Sequence, residues 1–397
     1  MRVLRVLGFV VLLAALGAVG GGWWAWRTLH RPLPHDGVSI EIAQGTSAGA
    51  ILRDLERHGL VADALLARLY LVHILGDPSL KAGEYRFDEP ASSVRVLDKL
   101  IRGEVVLHQV TVIEGLTLPE TAEALATAGF GDRERFLAAM NDPSPIADLD
   151  PEAESLEGYL HPDTYAFSRE VTEGEIVATL VRTFRERFET RIVPLLEDPA
   201  GRIRLARPAG STGSGRVREG SAGSEEPPPD EPRVPPEVAA GRRLELTPGE
   251  LVTLASIVEK EARLDEERPL IAAVYVNRLL AGMGLYADPT VIYALQRRGT
   301  WDGNLRREDL QLDSPYNTYR YGGLPPGPIA SPGLESLRAA ADPAAADFLY
   351  FVSRNDGSHV FARTLAEHNR NVREWQKRYW RERWARERRE AGDGDGG

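Results

Sequence analysis

The fold of this chain is decided by the stretch TPGELVTLASIVEKEARLDEERPLIAAVYVN, residues 247–277. It opens with Thr247 suited to the N-cap, Pro248 to the first helical position, and Glu250 to a capping box. Apolar residues then recur at helical spacing and form one stripe: Leu251, Leu254, Ala255, Val258 and Ala262. The stretch therefore predicts a packed helix, followed by a second one that ends near Gly282.

Glu259 interrupts the apolar side of the first helix. At about 100° per residue it falls between Val252 and Ala255, whereas Lys260 points away and Glu261 lies on the opposite flank. A carboxylate on a packing face is costly unless it is paired or functional. The pattern alone leaves two interpretations open: a glutamate paired with an arginine at a helix flank, or a catalytic acid.

Length and composition predict a globular protein of two or three domains, with 397 residues of which 43% are hydrophobic and 27% charged. The net charge of −11 argues against a nucleic-acid binder, whose surface would be basic. The chain has no cysteine, which excludes disulfides and a thiol nucleophile. Zinc-site spacing, a P-loop and a Rossmann glycine motif are all missing from the sequence. We therefore expect no cofactor and no metal.

The N-terminus carries an uncharged run from Val6 to Trp26. At about 1.5 Å per residue this run spans roughly 30 Å, enough for a bilayer. Three tryptophans at its far end suit an interfacial anchor. A cleaved signal peptide is the alternative, although its apolar core is usually shorter. We predict a cytoplasmic end over residues 1–5, a retained single-pass transmembrane helix over 6–26, and the remaining chain outside the cytoplasm.

Two stretches, residues 38–61 and 108–131, align without gaps at an offset of 70. Each contains a short alternating strand, a glycine turn, a hydroxyl residue suited to a helix cap, and a helix that ends at glycine. The pattern resembles LysM-type modules, which bind glycan strands; a strand–helix unit reused only for packing is the alternative. We predict a LysM-like subdomain over 37–107, and a second strand–helix repeat with its connection over 108–170.

The remaining chain predicts a mixed helical domain over residues 171–375, which makes the fold class α+β. Its segment FLYFVSRNDGSHVFA (348–362) is typical of a β-hairpin with Asn-Asp-Gly at the turn. Residues 199–243 are rich in Gly, Pro, Ser and charge, so they cannot bury enough surface to offset their ordering entropy. We predict a disordered insertion there, and a basic, flexible tail over 376–397.

Six short blocks follow one another in an order that resembles a known family: ASIVEKEA (255–262), VNRL (276–279), YADPTVIYAL (286–295), SPYNTY (314–319), GLPPGPIASPG (323–333) and EHN (367–369). Together they resemble the endolytic murein transglycosylases, the MltG or YceG-like family, which cut nascent peptidoglycan strands. The resemblance runs from the apolar N-terminal run to the last predicted helix. It implies peptidoglycan glycan strands as substrate, peptidoglycan synthases as candidate partners, and an inner-membrane protein whose catalytic domain is periplasmic.

The resemblance also assigns chemistry to Glu259, which aligns with the first glutamate of the family's EKE tripeptide, the catalytic acid. In a lytic transglycosylase one carboxyl protonates the leaving oxygen and then takes the proton of the sugar's own C6 hydroxyl. That hydroxyl attacks C1, so cleavage between MurNAc and GlcNAc leaves a 1,6-anhydroMurNAc end and terminates strand elongation. Burial on an apolar face raises the pKa of a glutamate, which suits a proton donor.

Five further polar residues are candidates for substrate contact: Asn317, Tyr319, Tyr316, Asp288 and Glu157. The amide and the phenols offer hydrogen bonds and stacking surfaces for a sugar. Asp288 is also the second carboxylate that a muramidase-type hydrolase would use with Glu259; its alternative role is in the turn before Pro289. A non-catalytic wall-binding scaffold remains the third possibility. For His359 and His368 we expect ordinary hydrogen bonding.

Overall fold

The computed structural model describes residues 2–35, 37–198, 201–206, 242–378 and 381. Its fold is mixed α+β, as predicted, and is dominated by helices. The α-helices are α1 (Arg2–His30), α2 (Ala48–Arg57), α3 (Ala64–His73), α4 (Ser93–Arg102), α5 (Leu118–Thr127), α6 (Arg133–Met140), α7 (Glu173–Arg187), α8 (Val193–Leu196), α9 (Pro248–Glu261), α10 (Arg268–Ala281), α11 (Asp288–Arg298), α12 (Leu334–Ala341) and α13 (Leu365–Asn371).

The strands are short and pair two by two. They are β1 (Pro32–Leu33), β2 (Val38–Ile42), β3 (Gly83–Phe87), β4 (Ala91–Ser92), β5 (His108–Val112), β6 (Asp163–Phe167), β7 (Ile203–Leu205), β8 (Leu244–Leu246), β9 (Tyr350–Ser353) and β10 (His359–Ala362). The pairs are β1 with β4, β2 with β3, β5 with β6, β7 with β8, and β9 with β10. No sheet among the described residues exceeds two strands, so the cores rest on helix packing.

Contacts between residues divide the chain into two units. Unit 1 contains Met1–Val110 and Tyr165–Thr172, and unit 2 contains Thr111–Thr164 and Glu173–Gly397. The chain passes from one unit to the other within β5 and again within β6. The predicted boundary at residues 107 and 108 stays a sequence-based prediction.

Unit 1 contains the first strand–turn–helix copy, in the order that the sequence predicts. β2 pairs antiparallel with β3, with Ile40 opposite Tyr85. Gly45 has a positive φ of 82°, and the Ser47 hydroxyl accepts a hydrogen bond from the Ala50 amide at the start of α2. The core of this unit includes Tyr85, which is fully buried.

The apolar N-terminal run is helical throughout as α1. Within the described residues one segment, Leu7–His30, is long and apolar enough to cross a membrane by length and composition. This property is consistent with a signal anchor or with a signal sequence. The last turn of α1 packs into unit 1, where Leu29 is buried in the core and His30 meets Tyr70 edge-on.

The second strand–turn–helix copy also has the predicted form. After β5 the turn contains Gly115 with a φ of 76°, and the Glu120 carboxylate accepts a hydrogen bond from the Thr117 amide at 2.9 Å. From residue 111 onward this copy lies in unit 2. Both copies thus confirm a strand–turn–helix geometry, whereas their resemblance to LysM modules stays a prediction.

Helix α9 lies at the centre of unit 2. Thr247 and Glu250 form the predicted capping box, with a 2.7 Å bond from the Thr247 amide to the Glu250 carboxylate. Every residue from Gly249 to Val258 except Glu250 is buried. The helix packs against α10, α11 and α12. A 3-10 turn over Asp265–Glu267 joins it to α10, so that Asp265 lies in this turn.

The predicted disordered insertion over residues 199–243 is too long at its N-terminal end. Ile203–Leu205 forms β7, which pairs in parallel with Leu244–Leu246 in β8, and Ile203 is fully buried. A strand of three residues is too short to give a sequence periodicity. Its parallel partner also lies about forty residues further along the chain. Residues 207–241 of the predicted insertion lie outside the described residues.

The C-terminal part of unit 2 contains the predicted hairpin. β9 and β10 pair antiparallel, with His359 opposite Ser353. The turn includes Asn355 at a φ of 67°, a conformation that asparagine tolerates better than most residues. Thr364 then begins α13 by accepting a hydrogen bond from the Glu367 amide. The predicted tail over 376–397 is described only at residues 376–378 and 381.

Candidate functional site

Glu259 lies in the last turn of α9 and is held by two donors. Its Oε1 accepts a hydrogen bond from Arg268 Nη1 at 3.0 Å, and its Oε2 accepts one from the Gly333 amide at 2.9 Å. The side chains of Arg268 and Glu259 are 8% and 6% exposed. The structure therefore shows a nearly buried ion pair at this position, and the catalytic assignment of Glu259 stays a prediction.

Arg268 is the first residue of α10 and is oriented from several sides. Its Nε donates to Asp265 Oδ1 at 3.0 Å, and its Nη1 also donates to Ser336 Oγ at 2.5 Å. Asp265 comes from the preceding 3-10 turn and Ser336 from α12. Because these contacts fix the planar guanidinium, the Glu259 carboxylate meets a donor that is already oriented.

A second carboxylate, Glu114, faces the same guanidinium from the turn after β5. Its Oε2 lies 3.7 Å from Arg268 Nη2, and its side chain is 50% exposed. The pKa of Glu114 is raised, first by burial and then by the negative charge of Glu259, against the lowering effect of Arg268. The sequence prediction missed this residue. A comparison of the two copies at an offset of 70 could have pointed to Glu114. It aligns there with the neutral Gln44, so only the second copy carries a charge beside its turn.

Backbone hydrogen bonds hold this turn next to the end of the GLPPGPIASPG block. The Gly115 amide donates to the Ser331 carbonyl at 2.8 Å, and the Ser331 amide donates to the Leu116 carbonyl at 2.8 Å. From α9, Lys260 Nζ donates to the Gly115 carbonyl at 3.0 Å. Hydrogen bonds therefore join the turn after β5, the end of α9 and the loop before α12 into one site within unit 2.

Glu261 belongs to a different polar cluster, on the other flank of α9. Its Oε1 accepts a hydrogen bond from the Tyr275 hydroxyl at 3.2 Å. Burial, followed by the negative charge of Asp288, raises the pKa of Glu261 to about 7. The exposed Asp288 carboxylate accepts a hydrogen bond from the Tyr319 hydroxyl at 2.6 Å. A carboxyl that can hold a proton near neutral pH thus occurs two residues after Glu259.

The Asn317 side chain makes its hydrogen bonds within its own loop. It is fully buried, its Nδ2 donates to the carbonyls of Leu310 at 3.0 Å and Leu312 at 2.7 Å, and its Oδ1 accepts from the Tyr319 amide at 3.0 Å. These three bonds support a role in shaping the loop. Substrate contact by Asn317, and by Tyr319 beside it, stays a prediction.

Tyr316 packs against α11. Its ring centroid lies 5.0 Å from that of Tyr293, and the Arg297 guanidinium lies 5.1 Å from its ring centroid. The ring is half-buried, so part of it remains available for stacking on a sugar. Substrate contact by Tyr316 also stays a prediction.

Glu157 is buried beneath these aromatic rings. Its Oε2 accepts hydrogen bonds from the Leu118 amide at 3.3 Å and the Tyr293 hydroxyl at 3.2 Å. Its Oε1 has no hydrogen-bond partner among the described residues. Burial raises the pKa of Glu157 to about 8. The side chain therefore supports the packing of α5 and α11 as a neutral acid, and its predicted contact with substrate is untested.

Replacing Glu157 by glutamine is expected to change how stability depends on pH. Because the pKa of Glu157 rises from 4.5 to about 8 on folding, the folded state holds the proton more tightly. Wild-type stability should therefore fall as pH rises from about 4.5 to about 8. At pH 8.5 the unfolding free energy of Glu157→Gln should exceed that of wild type by roughly 2–4 kcal/mol, so the variant should unfold at a higher temperature. Near pH 4.5 the two proteins should be equally stable. Thermal melts across this range measure the effect.

The matched control for that substitution is Glu154→Gln, because the Glu154 side chain is 80% exposed. This variant should follow the wild-type curve at every pH. Parallel curves for Glu157→Gln and wild type would show that the Glu157 carboxyl does not hold its proton in the folded protein.

His359 makes ordinary hydrogen bonds, as expected, whereas His368 Nδ1 is buried and has no hydrogen-bond partner among the described residues. His359 Nδ1 lies 2.7 Å from Glu267 Oε2, and the His359 amide donates to Glu267 Oε1 at 2.8 Å. The ring of His368 stacks on Tyr350. Over the described ranges, no group of three or more histidine, aspartate or glutamate side chains is placed to hold a metal ion. The described site brings together carboxyl groups and a guanidinium.

The fold and site define an α+β protein with an apolar N-terminal helix, two strand–helix units, and a carboxyl–guanidinium cluster at the end of a buried helix. The profile of the YceG-like family matches residues 40–374, and the chain belongs to that family. The match includes α9, α10, the second strand–helix copy and the first copy from residue 40 onward.

Several known proteins are similar to this chain. An endolytic murein transglycosylase of Bacillus subtilis (strain 168) is 29% identical over 371 residues, which cover 89% of each chain. An endolytic murein transglycosylase of Streptococcus pneumoniae (strain D39) is 28% identical over 407 residues, and the alignment covers 93% of this chain but only 64% of that protein. A crystal structure of a yceG-like protein from Listeria monocytogenes is 28% identical, with a TM-score of 0.49, and covers 84% of this chain and 98% of that one.

Proposed function

We propose that this protein is an endolytic lytic transglycosylase. It cleaves peptidoglycan glycan strands between MurNAc and GlcNAc, leaves 1,6-anhydroMurNAc ends and terminates strand elongation. The observation that carries the proposal is the placement of Glu259, a nearly buried carboxyl held by Arg268 and the Gly333 amide. The names of the relatives support it, since the B. subtilis protein is an endolytic murein transglycosylase.

In the proposed reaction Glu259 acts twice. It first gives its proton to the leaving glycosidic oxygen as the bond to C1 breaks. The C6 hydroxyl then forms a bond to C1 and returns its proton to Glu259, so the carboxyl is regenerated and no water is consumed. Between the two steps the carboxylate is charged, and the Arg268 guanidinium and the Gly333 amide stabilise it.

A muramidase-type hydrolase is the second candidate, with Glu261 in place of the predicted Glu259 as the partner of Asp288. The observation that favours it is the pair formed by Glu261, whose pKa is raised to about 7, and Asp288, which stays exposed. Two carboxyl groups with different environments are the arrangement that a hydrolase uses as acid and as base or nucleophile. The proposed lytic reaction needs neither of them.

The products separate the two candidates in one experiment. Purified full-length protein is incubated with uncrosslinked glycan strands in heavy-oxygen water, and the fragments are analysed by mass spectrometry. We expect anhydro ends, lighter by one water than hydrolytic ends and without heavy oxygen. Asp288→Asn should then lower the rate only modestly. Labelled reducing ends would establish the hydrolase, and intact strands would favour a wall-binding scaffold.

We also infer that α1 is a retained anchor and that unit 2 lies outside the cytoplasm, in the periplasm. Its uncharged run and terminal tryptophans support this placement. The full-length protein should fractionate with membranes, resist extraction by high salt, and expose unit 2 to protease only from the outer side. A mature soluble form that begins near Gly20 would instead establish a cleaved signal sequence.

Two further proposals concern binding. We infer that the LysM-like subdomain over residues 37–107 binds glycan strands, supported by the geometry of β2, Gly45 and α2. Sedimentation of the full-length protein with purified wall material, with and without substitutions on α2, would test it.

Peptidoglycan synthases are the proposed protein partners, since the substrate is a nascent strand. Affinity capture from crosslinked membranes would test this proposal.

A further inference from the structure

Three carboxylates share one guanidinium at the end of α9. Arg268 lies 3.0 Å from Glu259 Oε1, 3.0 Å from Asp265 Oδ1 and 3.7 Å from Glu114 Oε2. One positive charge cannot neutralise three negative ones, and like charges gathered around it disfavour full ionisation. Water can stabilise Asp265, which is 78% exposed, and in part Glu114, which is 50% exposed, so the imbalance falls mainly on the nearly buried Glu259.

We infer that Glu114 is a positioning residue for Glu259: its carboxylate competes for Arg268 and thereby favours the protonated form of Glu259. The inference rests on the proposed role of Glu259 as the proton donor. It goes beyond that role, because it assigns the supply of the proton to a residue from the second strand–helix copy. Glu114 acts through Glu259 and needs no contact with the sugar.

The position of Gly333 shows how closely the two carboxyls are held. Its amide donates to Glu259 Oε2 at 2.9 Å, while a Cβ on Gly333 would collide with the Glu114 carboxyl group. Its φ of −71° is one that any residue adopts, so the backbone conformation does not require glycine here. In its present position the Glu114 carboxyl instead occupies the space that a Cβ at residue 333 would take.

The charged groups that face Glu114 come from four elements. They are Glu259 and Lys260 of α9, Asp265 of the 3-10 turn, Arg268 of α10 and Glu335 of α12. Lys260 donates to the Gly115 carbonyl, and Arg268 lies nearer to Glu259 than to Glu114. The raised pKa of Glu114 agrees with this setting. Two interacting carboxyls of this kind titrate as a pair, so a change in one shifts the other.

The test is the pH dependence of kcat/KM for the full-length protein on uncrosslinked glycan strands. Activity of an acid catalyst falls when the acid loses its proton at high pH. The fall of activity at high pH is the basic limb of the profile. Glu114→Gln removes the competing charge, so we expect this limb to lie about one pH unit lower. The rate should be about tenfold lower above the limb and nearly unchanged below it. Glu335→Gln, which removes the weakest of the charges acting on Glu114 and lies exposed beside Arg338, is the matched control and should move the limb much less.

Gly333→Ala provides an independent variant that keeps every ionisable group. Its methyl group would displace the flexible end of Glu114 from the site. We expect the same shift of the basic limb. A uniform loss of rate at all pH values in both variants would show a structural role for Glu114 and overturn the inference, as would an unmoved limb. Glu114→Asp, which keeps the charge, should restore most of the wild-type profile.

A substrate-free measurement separates this inference from the proposed function. Infrared titration of the full-length protein, with each protein's own Glu259→Gln counterpart as the subtracted reference, isolates the carboxyl absorbance that Glu259 adds. Glu114→Gln should lower its titration midpoint by about one pH unit. A shift without any anhydro product would uphold the coupling and reject the transglycosylase assignment. Anhydro products with an unshifted midpoint would reject the coupling alone.

Discussion

Glu259→Gln is expected to lower the rate of glycan cleavage about a thousandfold, the range that general acid catalysis contributes. Glutamine keeps the size of the side chain and can still accept a hydrogen bond, but it has no proton to give to the leaving oxygen. The carboxylate that Arg268 and the Gly333 amide stabilise between the two steps is lost as well. Release of soluble fragments from glycan strands, followed by chromatography, measures the effect.

Glu261→Gln is the matched control, because it changes the same chemical group two residues further along. Glu261 bonds to Tyr275 in the other cluster, so its loss should cost less than about tenfold in rate. Circular dichroism and thermal melts must show that both variants are folded. Equal losses for the two variants would return Glu259 to the role of a structural ion-pair partner. A larger loss for Glu261→Gln would make Glu261 the acid.

Much of the fold follows from local signals in the sequence. Thr247, Pro248 and Glu250 predict the start of α9, and the structure shows the capping box there. Asn-Asp-Gly predicts the turn of the hairpin, and the offset of 70 predicts two strand–turn–helix units. Each of these features depends on residues within one turn or one strand, where backbone preference and periodicity decide the outcome.

The partners of Glu259 could not be predicted in the same way. The wheel places Glu259 on a packing face and leaves open an arginine partner, but it does not say which arginine. Arg268 is nine residues away, Gly333 is 74 and Glu114 is 145, and only tertiary packing brings the last two to the carboxyl. The burial that raises the pKa of Glu261 also depends on α10 and α11, which no helical wheel contains.

For the polar candidates on loops, the sequence also does not reveal which hydrogen-bond partners the side chains have. The sequence shows an amide at Asn317 beside two phenols, which is a reasonable sugar contact. In the structure the carbonyls of Leu310 and Leu312 already use that amide. Whether a buried polar side chain hydrogen-bonds to its own loop or to a ligand depends on which groups the folded loop brings next to it.

Arg268→Met should be the most destabilising single change at the site. The Arg268 side chain is 8% exposed and is the cation between Glu259, Asp265 and Glu114. Removing it leaves a buried carboxylate without its partner, which typically costs about 3–5 kcal/mol. Urea unfolding of the full-length protein in detergent at pH 7 measures the loss. Arg338→Met is the control, because that exposed arginine pairs with Glu335 on the surface of α12, and it should cost less than about 0.5 kcal/mol.

The loss in Arg268→Met should depend on pH and on Glu259. Without the guanidinium, the folded state holds protons on Glu259 and Glu114 more tightly than the unfolded chain does. The destabilisation should therefore grow as pH rises above about 4.5 and shrink towards pH 4. Adding Glu259→Gln removes the unpaired charge, so the double variant should be more stable than Arg268→Met alone, by about 1–3 kcal/mol at pH 7. If the two substitutions instead destabilise additively at every pH, the 3.0 Å ion pair contributes no coupling, and Arg268 stabilises the fold through packing.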